Sequence, residues 1–201
     1  QVAPGAYRHV ATPLTLEMQI LAGSAWLGKR GALWGATALT WLGVEVTQPL
    51  RAAFVVPRSL RSIPNWVEMH TTKVWNVRDV MLHRGVRTTT AARAILDFAT
   101  TGASATEIAA VIDSAIRLRR TSLPTLHRRL ADLSGSGRAG CRVVRELLLD
   151  SGGESALERR FLRLLRQSGL PRPECQVVFK SDGQRNARVD FSFPHAHLVV
   201  E

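Results

Sequence analysis

The spacing of apolar residues changes period several times along the chain, and each change marks an expected element. Apolar positions recur at helical spacing from Pro13 to about Leu27, so a helix is predicted there with Thr12 as its cap. Gly28, Gly31 and Gly35 break the pattern, and a second helix is expected from about Ala36 to Leu42. From Arg51 to Val86 the period shortens. "RAAFVVP", "WVEMHTT" and "DVMLHRG" are expected strands, with Pro57, Pro64 and Asn65 in the connectors. Helical spacing returns in "TTTAARAILDFAT", stopped by Gly102. It continues after the capping box "SATE" (Ser104 to Glu107), in "SLPTLHRRLADL" and in "CRVVRELLLD". A second capping box, "SALE" (Ser155 to Glu158), opens a helix to about Ser168 with an apolar stripe of Leu157, Phe161, Leu164 and Leu165. Three strands close the chain, at about 176–180, 188–193 and 198–201.

This order predicts an α+β fold in two parts. Residues 1–150 form a mixed helix and strand region, and residues 151–201 follow as helix, strand, strand, strand. "SGSGRAG", residues 134–140, is the best linker candidate. "VAPGAYRHV" suggests a Pro-Gly turn and a short strand, and both chain ends look like interrupted elements of something longer.

The final hairpin carries the sharpest chemical signal. In "ARVDFSFPHAHLVVE" the side chains alternate across the strands. Val189, Phe191 and Phe193 share one face; Arg188, Asp190 and Ser192 share the other. Matching the apolar faces pairs Phe193 with Leu198 and Phe191 with Val200. The loop is then His195–Ala196 or the four residues Pro194 to His197, in the same register. Asp190 then stands opposite Glu201, where like charges repel at a Cβ separation of about 4.5–5.5 Å. A shared proton, a neighbouring arginine such as Arg188, or a divalent cation such as Mg²⁺ would each offset that repulsion. Two acids on a solvated sheet face would need none of these.

Charge adds a partner. The 27 Lys and Arg against 16 Asp and Glu give a net +11. Residues 1–150 hold 19 basic and 10 acidic side chains, a balance of +9, and residues 151–201 hold 8 and 6, a balance of +2. Such an excess favours a polyanion, most often nucleic acid, through phosphate neutralisation, or is simply the basic surface of a protein from an Arg-rich proteome. Arg51, Arg58 and Arg61 at strand ends suit phosphates as well as solvent. Trp26, Trp34 and Trp41 have apolar neighbours and are expected in the core rather than as base-stacking platforms. Cys141 and Cys175 lack metal-type spacing and imply no disulfide framework. The longest charge-free apolar-rich stretch, residues 31–44, is too short to span a bilayer. The expected setting is cytoplasmic, with no membrane partner.

"SALERRFLRLLRQSGLPRPECQVVF", "ARVDFSFP" and "LVVE" together resemble the Vsr-like endonuclease domain family of the PD-(D/E)XK restriction-endonuclease-like superfamily. The resemblance covers residues 150–201, the N-terminal half of such a domain. Upstream, "VAPGAY", "GATALTWLGV" and "RTTTAARAILDFAT" resemble the AbiEi-type antitoxin and transcription-regulator architecture, with "VAPGAY" as the remnant of a winged helix. The resemblance implies Asp190 and Glu201 as ligands of Mg²⁺ or Mn²⁺ and as catalytic acids, with Glu158 as the helical acid. The capping box offers Glu158 a structural role instead. The lysine of the superfamily signature would fall at position 203, outside the sequence. His195 and His197 lie close by in sequence and suit either a phosphate contact or simple exposure. Two functions follow as expectations. One is an Mg-dependent endonuclease that hydrolyses DNA phosphodiesters. The other is a DNA-binding regulator or antitoxin-like protein, with a toxin or other protein partner, whose nuclease fold is inactive.

Overall fold

A computed structural model describes residues 7, 9, 11–57, 63–134, 140–149, 156–179 and 187–201. They divide into two units, residues 1–145 and 146–201. The fold class is α+β. Residues 2–6 of "VAPGAY", residues 135–139 of the linker candidate, Arg58, Arg61 and Ser155 lie outside the described residues.

The first unit is built on a five-stranded mixed sheet. In chain order its strands are β1 (Ala32–Leu33), β2 (Ala52–Val56), β3 (Val67–Thr71), β4 (Val80–His83) and β5 (Val86–Thr89), arranged β3-β2-β1-β5-β4. Helices α1 (Leu16–Leu27) and α2 (Gly35–Trp41) pack on the sheet, α3 (Ala91–Phe98) packs on α2, α4 (Ala105–Arg117) and α5 (Leu123–Ser134) pack on α3, and α6 (Cys141–Leu149) contains the division between units. All five residues of β2 are buried, so both sheet faces are covered there. Phe54 meets α1 over Gly23; a Cβ on Gly23 would stand 2.5 Å from the ring. Ala53 and Val55 pack with Trp34, and Trp75 closes the cluster. Trp34 and Trp41 are core residues, each 7 % exposed.

Three expectations shift. The first helix starts at Leu16 rather than Pro13, because Thr15 and not Thr12 is the cap. Thr15 Oγ1 accepts from the Met18 N–H at 3.2 Å, while the Thr15 N–H closes a turn onto the Pro13 carbonyl. The two-residue β1, too short for any periodicity, bridges β2 antiparallel and β5 parallel. The threonines of "RTTT" mostly belong to β5, where β-branching suits the pleat, and the helix begins only after Thr90. The "SATE" capping box forms as drawn: Ser104 Oγ accepts from the Glu107 N–H and Glu107 returns a carboxylate oxygen to the Ser104 N–H.

A buried ion network ties the strand half of this unit to its helical half. Arg93, 1 % exposed, donates from Nε to both carboxylate oxygens of Asp97 at 2.9 and 3.1 Å. Its Nη1 reaches Asp79 Oδ2 at 2.9 Å and the Val74 carbonyl at 3.1 Å, and Nη2 reaches Thr72 Oγ1 at 3.3 Å. Arg129 on α5 pairs with the same Asp79 oxygen, Oδ2, and with Asp132 at 3.1 Å. Each buried charge thus has an opposite charge in hydrogen-bonding geometry, the condition for tolerating it in a core.

The second unit contains α7 (Ala156–Gln167) and an antiparallel sheet of β6 (Glu174–Phe179), β7 (Ala187–Phe193) and β8 (Leu198–Val200), in the order β6-β7-β8. Phe161 on α7 contacts Phe191 on β7 at 5.0 Å between ring centroids. Leu162, Leu165, Val189 and Phe191 are buried, whereas Leu164 is 58 % exposed. The inward stripe is therefore Phe161, Leu162 and Leu165. Leu164 drops out because its position rotates past the sheet. No helix among the described residues is long and apolar enough to cross a membrane.

Candidate functional site

The β7–β8 hairpin adopts the register that its apolar faces dictate. Phe193 pairs with Leu198, Ser192 with Val199 and Phe191 with Val200. The loop is the four-residue form: Pro194–Ala196 makes a turn of 3-10 helix, and His197 takes a left-handed conformation, φ 50°. One step further, that register would set Asp190 opposite Glu201, which lies just past the end of β8, outside the pairing, and is exposed. Asp190 is half-buried.

Glu158 joins from the helix. It precedes Phe161 by three residues, so the ring contact with Phe191 brings its turn of α7 over the sheet. The contact between Glu158 and Asp190 runs through a residue that no sequence motif suggested. Gln176 Nε2 donates to Glu158 Oε2 at 3.0 Å and to Asp190 Oδ1 at 3.3 Å. Cys175↔Phe191 and Val177↔Val189 flank Gln176 in the β6–β7 ladder, which places it across from Asp190. The available signal was therefore the register of β6, once β7 was fixed. The capping role drawn for Glu158 involves Ser155, outside the described residues.

The surroundings are partly desolvated. Burial pushes the Cys175 thiol above its ordinary value, nearby Arg172 opposes the rise and Glu158 adds to it. His195 and His197 are exposed at the turn, and Asp190 lies four residues back along β7 from Pro194, a run of about 13 Å at strand rise. The structure thus brings Glu158, Gln176 and Asp190 together, carries Glu201 one residue past the paired strand, and leaves the two histidines at the far end of the hairpin. A cleft of about 490 Å³ follows that far end, between Glu174, Ser192, Phe193, His197 and Leu198, and none of the three acids lines it.

No three His, Cys, Asp or Glu side chains cluster as a metal-binding group among the described residues. The donor set nevertheless suits Mg²⁺. That ion keeps several waters and is held by one or two carboxylates, with phosphate oxygens completing its shell. Asp190 and Glu201 carry oxygen donors of the kind such an ion takes, and the Gln176 amide bonds both Asp190 and Glu158.

Two proteins of Mycobacterium tuberculosis are similar to part of this chain. They are the uncharacterized protein MT2308 of strain CDC 1551 / Oshkosh and the uncharacterized protein Rv2248 of strain ATCC 25618 / H37Rv. Each is 34% identical over 94 residues, which is 46% of this chain and 34% of the relative. The matched stretch thus spans about a third of the length of these relatives. No protein-family model matches the chain, and no solved structure matches it.

Proposed function

We propose that the chain is a cytoplasmic, DNA-associated protein whose second unit is an Mg²⁺-dependent endonuclease module of the restriction-endonuclease-like kind, hydrolysing DNA phosphodiesters. The observation that carries this reading is the convergence of Glu158 and Asp190 on one amide, with Glu201 next in register to Asp190. The net charge of +11 supports a polyanionic substrate.

In this reading Asp190 and Glu201 hold the divalent cation by their carboxylate oxygens. The bound ion would polarise the scissile phosphate and lower the pKa of a coordinated water. Glu158 orients that water or adds a further oxygen. The β7–β8 register, continued one step, would bring Glu201 opposite Asp190, and the Phe161–Phe191 contact holds α7 against the sheet. Arginines of the upstream unit, Arg51 among them, neutralise phosphates away from the reacting one.

The second reading is a regulator or antitoxin-like protein, partnered by a toxin or another protein, whose nuclease fold does not cut. It is favoured by the charge distribution, +9 in residues 1–150 against +2 in residues 151–201, which puts most of the basic excess away from the acids. Plasmid nicking with Mg²⁺ or Mn²⁺ separates the two. The nuclease reading expects nicking that Asp190→Ala abolishes, by roughly a thousandfold or more, as for loss of a group that stabilises developing charge. Salt-dependent DNA binding with no nicking by the unsubstituted protein would overturn it in favour of the regulator.

A further inference from the structure

Gln176 sits inside β6 with φ at +57°, at the one position where the β6–β7 pairing skips a residue. A long side chain in the left-handed region is uncommon, and the conformation costs roughly 1–2 kcal/mol. Nothing in the chain path asks for it. The strand does not turn there, since Cys175↔Phe191 and Val177↔Val189 lie on either side, with Val178↔Arg188 and Phe179↔Ala187 beyond. What the twist does achieve is to aim one side chain. The amide nitrogen of Gln176 carries two hydrogens, and its two acceptors are carboxylate oxygens on different elements, Glu158 on α7 and Asp190 on β7. Local strain that re-aims a side chain is a mark of functional positions.

The choice of an amide is informative. Two carboxylates drawn to one point repel each other, and an arginine or lysine between them would offset that repulsion most strongly. It would also cancel the negative charge and fill the place of a cation. A neutral amide bridges the two acids and adds no charge of its own. We propose that Gln176 is the positioning residue that holds Glu158 against Asp190, so that a divalent cation meets both carboxylates as one preassembled pair. This inference rests on the cation-site reading above and assigns Gln176 a role in it.

The test measures Mn²⁺ binding without DNA, by calorimetry or by the loss of the free-ion electron paramagnetic resonance signal. The proteins are the unsubstituted chain, Asp190→Ala, Gln176→Ala, Glu158→Gln, the double variant Gln176→Ala with Glu158→Gln, and Gln176→Lys. Orienting partners of metal ligands typically contribute ten- to a hundredfold in affinity. The expected results are about tenfold weaker binding for Gln176→Ala and for Glu158→Gln, no further loss in the double variant, and abolition in Gln176→Lys. If Gln176→Ala does not fold, Gln176→Gly replaces it, because glycine occupies φ +57° without strain and removes only the amide.

Unchanged affinity in Gln176→Ala or Gln176→Gly overturns the proposal, as do single losses that multiply in the double variant. In either case, binding that remains sensitive to Asp190→Ala leaves the cation site itself standing. If the unsubstituted chain binds no Mn²⁺, or Asp190→Ala binds as well as it does, the site reading falls and the role of Gln176 falls with it.

Discussion

Replacing Arg93 with alanine is expected to destabilise the first unit by about 4 kcal/mol. The guanidinium makes five hydrogen bonds, three of them to the carboxylates of Asp79 and Asp97. The side chains involved are 2 %, 6 % and 0 % exposed for Arg93, Asp79 and Asp97. Asp79 keeps Arg129, so its charge stays offset. Asp97 loses both bonds from Nε, and the Val74 carbonyl and Thr72 hydroxyl lose a donor. Removing one partner of a buried ion pair typically costs about 3–5 kcal/mol. For a unit of this size each kcal/mol lowers Tm by roughly 2–4 °C, so a drop of about 12 °C is expected. All five tryptophans lie in the first unit, so urea unfolding followed by tryptophan fluorescence reports on that unit alone. Arg93→Lys keeps the charge without the planar fork and should fall between. Arg93→Met combined with Asp97→Leu removes the Arg93–Asp97 pair together and should recover most of the loss. A cost below about 1 kcal/mol for Arg93→Ala, or simple additivity in the double variant, would refute the view that Arg93 acts by neutralising buried acids.

Two further predictions concern the same unit. His70 stacks on Trp34 at 3.5 Å, its Nε2 is buried with no hydrogen-bond partner, and burial lowers its pKa below 6.5 while Glu68 partly opposes the shift. The unfolded chain therefore takes up a proton first as pH falls. Stability should decline as pH drops below about 6.5, and His70→Phe, which retains the stack, should flatten that slope in urea midpoints measured from pH 7.5 to 5. Gly23→Ala forces a methyl against the Phe54 ring, and the expected overpacking cost of about 1–3 kcal/mol exceeds the gain in helix propensity. Thermal denaturation should show a lower Tm that Phe54→Leu restores.

The sequence carried some features and not others for identifiable reasons. The β7–β8 register was legible because Val189, Phe191 and Phe193 alternate with polar residues, and a slip of one position would turn all of them outward. The capping box at Ser104 was legible because it is a four-residue affair. Gln176 was not, since its role depends on a positive φ inside a strand and on partners 18 and 14 residues away. Nor was the outward turn of Leu164, which depends on how α7 rolls on the sheet. The Arg93–Asp97 pair lies within one helix, but its burial was not legible, because Asp79 and Arg129 come from distant segments.

The Asp79–Arg93–Arg129 network bears on how the protein can be dissected. Its buried ionised members run from Asp79 to Arg129, so an expression fragment that ends between them leaves the buried Asp79 without one or both of its arginines. The smallest autonomously folding piece of the upstream half should therefore extend through α5, and shorter versions should be recovered only as insoluble or protease-sensitive material.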